Sequence, residues 1–319
     1  LVVKGIQDAY EALPTIGEQL VTDFDDNKKI SVMASIHAIG RPGPAGVKEG
    51  DPYPEVSASE EKVEIRNRRD GLKLSLTSEA IEENDVAGFA ERVNKLGEMA
   101  ARTIEEQTLS RVCDQNGSAS SGAEPYVYRP NGAGAALYSS TANTPGTRAP
   151  SGTRVLNNAL VDDTDLEAVR TVLNAMRDNE GKRFQSWVNS EMILLAPDAL
   201  VPVALAILNS ELVPGEANML NVWGPRGNYR PRLLSSPKLD DISTTAWYMG
   251  RFNRQFKRKW KLRFEYVTLS GDTQAFLDTR LAFQARIGWD CEIGALDYTS
   301  VVQSLSGTAA ATAPSAANA

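Results

Sequence analysis

From Asn84 to Asp114, apolar residues recur at three- and four-residue steps: Val86, Phe89, Val93, Leu96, Ala100, Ile104 and Val112. That spacing places them on one side of an α-helix. Glu91, Arg92, Lys95, Glu98, Arg102, Glu105 and Glu106 fill the other faces. Asn84 or Asp85 can cap the start, with Glu82 and Glu83 adding charge of the favourable sign there. At ~1.5 Å per residue the helix runs roughly 40 Å, the width of a small domain. The other elements have to pack along a rod of that length. Gly97, in its middle, costs about 1 kcal/mol relative to Ala, so a close backbone contact is expected there.

Ahead of the helix, residues 1–29 carry only short apolar groups (Leu1, Val2, Val3; Ile16; Leu20, Val21), interrupted by Pro14 and Gly17. They are too few to form a core and read as an arm laid on another surface. Asp23, Asp25 and Asp26 read as a solvated turn. Ile30, Val32, Ala34, Ile36 and Ala38 alternate as in a half-buried strand, with His37 on the opposite face. A Gly- and Pro-rich segment follows, from Gly40 to Pro54. Val56 to Arg68 holds Val63 and Ile65 between charged neighbours. Asp70-Gly71 is a hairpin turn signal, and Leu72, Leu74 and Leu76 suit a return strand. Two strands of about ten residues project roughly 30 Å. Their outward positions are charged: Glu60, Glu61, Lys62, Glu64, Arg66, Arg68, Arg69, Asp70 and Lys73. A lone two-stranded hairpin is marginal in water, so this one needs a partner surface, in its own chain or in another. Thr77 to Ile81 reads as a short helical turn before the long helix.

Beyond the helix, Gln115 to Thr153 shifts to Gly, Ser, Ala, Thr, Asn and Pro and predicts a long irregular loop. Asn131-Gly132-Ala133-Gly134 within it lacks the preceding strand and the spacing of a phosphate-cradling turn. Asp162 to Asp165 caps a second helix that carries Leu166, Val169, Val172, Leu173 and Met176. A strand at 192–195 passes through Pro197-Asp198 into a helix at 199–208. Further strands are expected at 233–239, 246–250, 262–268 and 276–289, with turns at Gly224-Pro225 and Ser270-Gly271. Ser306 to Ala319 has the composition of a disordered tail, expected to be held by a neighbouring chain. The pattern is α+β.

Composition removes several functions. The 319 residues suffice for about two domains. With 41 acidic against 34 basic residues, a net charge of −7, the chain is not built to grip nucleic acid over a broad face. His37 is the one histidine, which leaves little for Ser-His-Asp, Cys-His or histidine–metal chemistry. No Gly-x-Ser-x-Gly elbow or Walker loop occurs, and Cys113 and Cys291 lack metal spacing. The acidic pairs Asp162/Asp163, Asp240/Asp241 and Glu105/Glu106 fall at caps, turns and a helix surface. No enzyme activity, metal or cofactor is expected. The longest apolar run, 192–208, contains Pro197, Asp198 and Pro202, which argues against a membrane span. There is no secretory signal pattern, and synthesis in the cytoplasm is expected. Leu1 stands where an initiator Met would, which suggests proteolytic processing.

Against the overall acidity, one stretch is basic. Arg251, Arg254, Lys257, Arg258, Lys259, Lys261 and Arg263 interleave with Phe252, Phe256, Trp260 and Phe264. Such a mixture can hold single-stranded nucleic acid by stacking. It reads better as a strand whose aromatics face a core and whose cations meet carboxylates of another chain, such as those of the charged hairpin.

Taken in order, these segments resemble the major capsid protein of tailed bacteriophages, the Hong Kong 97-type fold. The resemblance is carried by Glu49-Gly50, Tyr53-Pro54, Lys73-Leu74-Ser75-Leu76 and Ser78-Glu79-Ala80-Ile81-Glu82. It continues through the helix ending Ile104-Glu105-Glu106-Gln107-Thr108-Leu109 and the step Leu195-Ala196-Pro197-Asp198-Ala199. It ends at Tyr248-Met249-Gly250 and Phe276-Leu277-Asp278-Thr279-Arg280-Leu281, so it spans roughly residues 30–300. The likeness lies in the order of these segments, not in one motif.

The resemblance implies an N-terminal arm (1–29), a strand and extended β-hairpin loop (30–77), and a spine helix with its following loop (78–154). It implies an axial domain (155–248), peripheral-domain strands (249–292), and a return to the axial domain with a C-terminal tail (293–319). The function implied is structural: self-assembly into hexamers and pentamers of an icosahedral virion shell around double-stranded DNA, with little direct DNA binding and no membrane. Portal, scaffold and decoration proteins are the further partners of that family. The alternatives are an encapsulin-type nanocompartment, which shares the fold, and a nucleic-acid-binding protein using 251–263. Contacts between subunits are expected at Glu60, Glu61, Lys62, Glu64, Arg66, Arg68, Arg69 and Asp70. The basic strand is expected to face another subunit or DNA. The stretch 40–50 and the loop after Asp114 are the expected adaptable joints. Some family members join subunits by an isopeptide between a hairpin lysine and a neighbour's asparagine. Lys62 falls where that lysine would, but Phe276-Leu277-Asp278-Thr279-Arg280 offers no asparagine, so the implied shell is non-covalent.

Overall fold

In chain order the first elements are α1 (Gly17–Leu20), β1 (Thr22–Asp25), β2 (Ile30–Ile39), β3 (Ala58–Arg66), β4 (Arg68–Thr77) and α2 (Val86–Val112). Then come β5 (Arg154–Val155), α3 (Asp163–Ala175), β6 (Ile193–Ala196), α4 (Val201–Asn209), β7 (Arg232–Ser235) and α5 (Pro237–Ile242). The last are β8 (Trp247–Gly250), α6 (Phe252–Gln255), β9 (Phe256–Ser270), β10 (Leu281–Ala295) and β11 (Val301–Ser304). The computed structural model describes residues 8–13, 15–39, 58–77, 86–114, 137–140, 148–178, 181, 183, 192–213, 219–270 and 281–307. Side chains are described within these except at 34–39, 58–62, 76–77, 86–90, 93, 268–270 and 281–283. The expected helix caps at 82–85, the helical turn before them, the segment 40–54, most of the loop 115–153, the segment 276–280 and the tail from 308 lie outside the described residues.

The long helix is where the periodicity put it, and it bridges two sheets. Leu96, Ala100 and Ile104 pack on Trp260, Ile287, Trp289 and Cys291 of a four-stranded sheet ordered β1-β9-β10-β4. Leu109 and Val112, nearer its C-terminus, enter the larger core around a five-stranded sheet ordered β5-β11-β8-β6-β7. Gly97 is buried, and the outer face carries the i,i+4 pairs Glu91–Lys95 (2.7 Å) and Glu98–Arg102 (3.9 Å).

The five-stranded sheet is apolar on both faces at its centre, since Leu194, Leu195, Ala196 and Met249 are fully buried. Asp162 caps α3 in a reciprocal capping box with Asp165, as their spacing predicts. From β6 the chain turns through Pro197 and a 3-10 turn at Asp198–Leu200 into α4. The strand expected at 233–239 stops at Ser235, because Ser236 caps α5 and Pro237 occupies its first turn.

Strand pairing corrects the expected hairpin. β3 pairs antiparallel with β2, whereas β4 pairs antiparallel with β10. Asp70 and Gly71 therefore lie inside a strand, opposite Trp289 and Gly288. A side chain on Gly71 would lie 2.6 Å from the Ile287 carbonyl, so glycine is needed there for close strand approach and not for a turn. The antiparallel hairpin pair is β2–β3, and the chain changes sheets at Asn67.

The apolar alternation of β2 also points the other way from the expectation. Ile30 and Val32 are exposed, while Ser31 is buried. The covered side of the stem is supplied by Val63 and Ile65 of β3. The side chain of His37 lies outside the described residues.

Candidate functional site

β1 runs parallel to β9, with Asp23 opposite Arg258 and Asp25 opposite Trp260. The Arg258 guanidinium donates to both Asp23 oxygens (2.8 and 2.9 Å), and the Trp260 indole N–H donates to the same carboxylate (3.0 Å). Arg263 grips Asp25 in the same two-bond fashion at 3.0 and 3.1 Å. Phe256 and Trp260 are buried, as the aromatic spacing led one to expect. The carboxylates that meet Arg258 and Arg263 are not those of another chain, however. They come from this chain's own segment 22–25, a strand where the sequence predicts a solvated turn. The missed signal is the Asp-x-Asp spacing, which puts two carboxylates on one side of a strand. Lys259 is also unavailable to nucleic acid: it is 0% exposed, burial pushes its ammonium pKa down, and Nζ donates to the Lys28 carbonyl at 2.5 Å. Lys257 donates to the Asn253 carbonyl, Arg254 and Lys261 are exposed, and Arg251 is half-buried.

The N-terminal segment is thus part of the subunit body, and Tyr10 already packs on Phe264 with ring centroids 5.4 Å apart. Leu20 and Val21 belong to the larger core, and Glu105 of the long helix accepts hydrogen bonds from the Ile16 and Gly17 backbone N–H groups (3.0 and 2.9 Å).

The stem of the β2–β3 hairpin is anchored on the same sheet. Ile65 sits over Gly294, where an added side chain would lie 2.6 Å from Ile65 Cγ1. Asn67 donates its backbone N–H to Lys29 (3.0 Å) and its side-chain amide to the Asp290 carbonyl (3.1 Å), and the Asp26 N–H reaches Trp260 O at 2.9 Å. On the opposite face Ile30 and Val32, 39% and 57% exposed, stand across from Arg66 and Glu64. Those two charged residues are exposed.

The remaining expected contact residues divide. Arg68, Arg69 and Asp70 belong to β4, where Arg68 pairs with Asp70 (3.0 Å), Arg69 with Glu265 (2.7 Å), and Asp70 accepts from Gln107 (2.7 Å). The side chains of Glu60, Glu61 and Lys62 lie outside the described residues.

Two buried carboxyls make a pH prediction. Burial pushes both Glu105 and Glu292 above the ordinary 4.5, even though backbone N–H groups at Glu105 and the Arg111 guanidinium at Glu292 pull the other way. A carboxyl raised on folding takes up a proton, so its contribution is fully present below 4.5 and is lost as pH rises through the raised value. Asp26 is lowered, chiefly by the Ser31 hydroxyl, and acts in the opposite sense in a more acidic range. Urea midpoints of the unassembled subunit are therefore expected to be higher near pH 5 than near pH 7, and Glu292→Gln to flatten that slope.

Nucleophilic chemistry has little support. Cys113 and Cys291 are buried free thiols, both pushed up to about 12 by burial. Among the described residues no group of His, Cys, Asp and Glu could hold a metal ion, and no helix is long and apolar enough to cross a membrane.

A fold of two sheets bridged by one long helix, with a hairpin leaving its edge, has to be matched to a family by sequence. Residues 61–304 match the family described as phage capsid protein. The chain belongs to the phage capsid protein family. Membership makes it a structural, shell-forming protein and not an enzyme, and favours a virion shell over a nanocompartment or a nucleic-acid-binding module.

Solved capsids share the fold of this capsid protein at identities too low to show more than fold. The capsid of an empty GTA particle aligns with a TM-score of 0.57 at 9% identity, covering 97% of this chain and 99% of that one. The capsid of cyanophage P-SCSP1u gives 0.56 at 10%, covering 92% and 88%. A chain of Mycobacterium phage Patience gives 0.55 at 13%, covering 98% and 88%. No curated protein sequence matches the chain.

Proposed function

We propose that this capsid protein is the major shell subunit of a tailed phage, arranged in hexamers and pentamers around double-stranded DNA, with the Hong Kong 97-type division of labour. In that reading α2 is the spine helix and the four-stranded sheet is the peripheral domain. The five-stranded sheet with α3, α4 and α5 is the axial domain, and β2–β3 is the extended loop laid over a neighbouring subunit. Of the arm expected over 1–29, Tyr10 and residues 16–26 pack on the subunit's own body.

The observation that carries this reading is the hairpin. Among the described residues β2 and β3 pair only with each other and touch the body through the stem, yet a two-stranded sheet is marginal alone. Exposed Ile30 and Val32 beside Glu64 and Arg66 form a face with an apolar centre and charges of both signs. A neighbouring subunit completes it. Net charge −7 suits a container that need not adhere to its DNA, and the paired state of Arg258 and Arg263 leaves the basic strand little to offer a phosphate backbone.

The test is sedimentation and electron microscopy of the purified protein. Closed shells are expected. On a denaturing gel they are expected to give one band at the 34.6 kDa of the single chain. A ladder of covalent oligomers would overturn the non-covalent part, and a monodisperse monomer at assembly concentrations would overturn the whole.

A further inference from the structure

Ahead of Leu20 the chain is held to the body chiefly at two points. A short helical stretch over 8–12 lays the Tyr10 ring on Phe264 of β9. Further on, both oxygens of the Glu105 carboxyl accept backbone N–H groups, Oε1 from Ile16 and Oε2 from Gly17. Among the described residues no backbone hydrogen bond joins 8–13 to the rest of the subunit. The packing around this stretch is open. Two cavities, of about 220 and 270 Å³, are both lined by Tyr10, Glu18 and Arg258; Glu105 lines the first and Trp260 the second. Each has room for several water molecules, so the stretch rests on the body without filling the space beside it.

From Leu20 onward the chain is held differently. Leu20 and Val21 are buried in the larger core, and β1 is paired with β9 along its length. Local opening follows the units of packing, so 8–18 can leave the body while 20–25 stay in place. The junction between the two is a close contact. A side chain on Gly17 would lie 2.6 Å from Glu105 Oε2 and 3.2 Å from the Thr108 methyl. Glycine at that position lets the carboxyl sit directly on the backbone it caps.

We propose that residues 8–13 and 15–18 form a strap that opens and closes on the subunit as one unit, with the Glu105 carboxyl as its proton-sensitive catch. The inference does not depend on the shell reading and is tested on the subunit alone. Under the closed strap Glu105 is 9% exposed, and opening returns it to water. Burial raises its pKa against the pull of the Gly17 and Ile16 N–H groups and of Arg258, and Glu18 adds to the rise. Closing therefore takes up a proton. Closure is firmest below the ordinary 4.5 and weakens as pH rises through the raised value. The other groups facing Glu105 do not supply this dependence. The Arg258–Asp23 pair lies outside the strap, and Tyr10 is raised by burial above its ordinary 10.0. Glu11 and Glu18 are exposed in the closed strap already. On the long helix itself, Ala101 and Thr108 flank Glu105 on this face, and neither titrates.

Amide hydrogen exchange of the full chain as unassembled subunit, corrected for the intrinsic pH dependence of exchange, follows the strap directly. Protection at 15–18 is expected to fall at least about threefold between pH 5 and pH 8, while protection at 20–25 stays constant. Glu105→Gln keeps the shape and one acceptor oxygen but cannot ionise. It is expected to hold protection at its pH 5 level throughout. Gly17→Ala sets a methyl against the carboxyl and is expected to lower protection at 15–18 at both pH values, with 20–25 unchanged. Protection at 15–18 of the unaltered chain that does not vary with pH, or loss of protection at 15–18 and 20–25 together, would overturn the strap whatever the variants do. The same pH dependence in Glu105→Gln would overturn the assignment of the catch to Glu105. Unchanged protection in Gly17→Ala would show that the carboxyl does not hold the strap.

Discussion

Replacing residues 34–62 with a short Gly-Ser turn is expected to leave a folded subunit that makes no shells. The cut is placed by strand pairing. Ser31, Val63 and Ile65 remain to cover the stem, and Asn67 keeps its bonds to Lys29 and Asp290. β4 is untouched, so the four-stranded sheet and its Asp70–Gln107 link to the long helix persist. A deletion of 60–70 would instead remove Arg68, Arg69 and Asp70 from that sheet and confuse misfolding with failed assembly. Stability is expected to change by no more than about 1 kcal/mol, since every described side chain of the two cores is kept. Each hairpin contact in a shell is modest: about 0–1 kcal/mol for an exposed ion pair and ~1.5–3 kcal/mol for an aliphatic side chain newly covered. Repetition around a closed shell turns such increments into an all-or-none outcome. Sedimentation should show monomers or small oligomers where the unaltered chain gives particles. Particles at normal yield would remove the hairpin from the assembly contact.

What could be read from the sequence was whatever is decided within a few residues. The periodicity of 86–112, the Asp162–Asp165 capping box and the Leu195-Ala196-Pro197-Asp198 step each depend on neighbours along the chain, and each has its expected form. Decisions made across the chain were not legible. Asp70-Gly71 carries a strong local turn preference, but Gly288, more than two hundred residues away, offers a partner strand that only a glycine can approach so closely. The apolar alternation of 30–38 fits a strand, and nothing in the alternation says which face is covered. Ser31 went inward because Ser31 and Ile65 are paired across the stem, where Ile65 sits over Gly294, and Ile30 and Val32 were left outside.

The acidic residues of β1 give the sharpest test of how burial sets the worth of an ion pair. Asp23→Ala and Asp25→Ala remove the same side chain from positions two residues apart on one strand, each bound to one arginine of β9. The environments differ. The Arg258 side chain is 4% exposed, so without Asp23 its guanidinium is stranded in the subunit and the Trp260 indole N–H loses its acceptor. Removing one partner from a buried pair costs about 3–5 kcal/mol, and the partial exposure of Asp23 places this case near 3 kcal/mol. Arg263 and Asp25 are both largely solvated, so the second substitution is expected to cost only about 0–1 kcal/mol. Adding Arg258→Met to Asp23→Ala should recover part of the loss, because the uncompensated charge goes with the arginine. Urea denaturation of the unassembled subunit measures all three. Limited proteolysis ahead of residue 26 should follow the same order, since β1 is held to the sheet through β9 alone among its strands. Equal losses at positions 23 and 25 would mean that the backbone pairing of β1 with β9, and not the buried Asp23–Arg258 contact, fixes the N-terminal segment to the subunit.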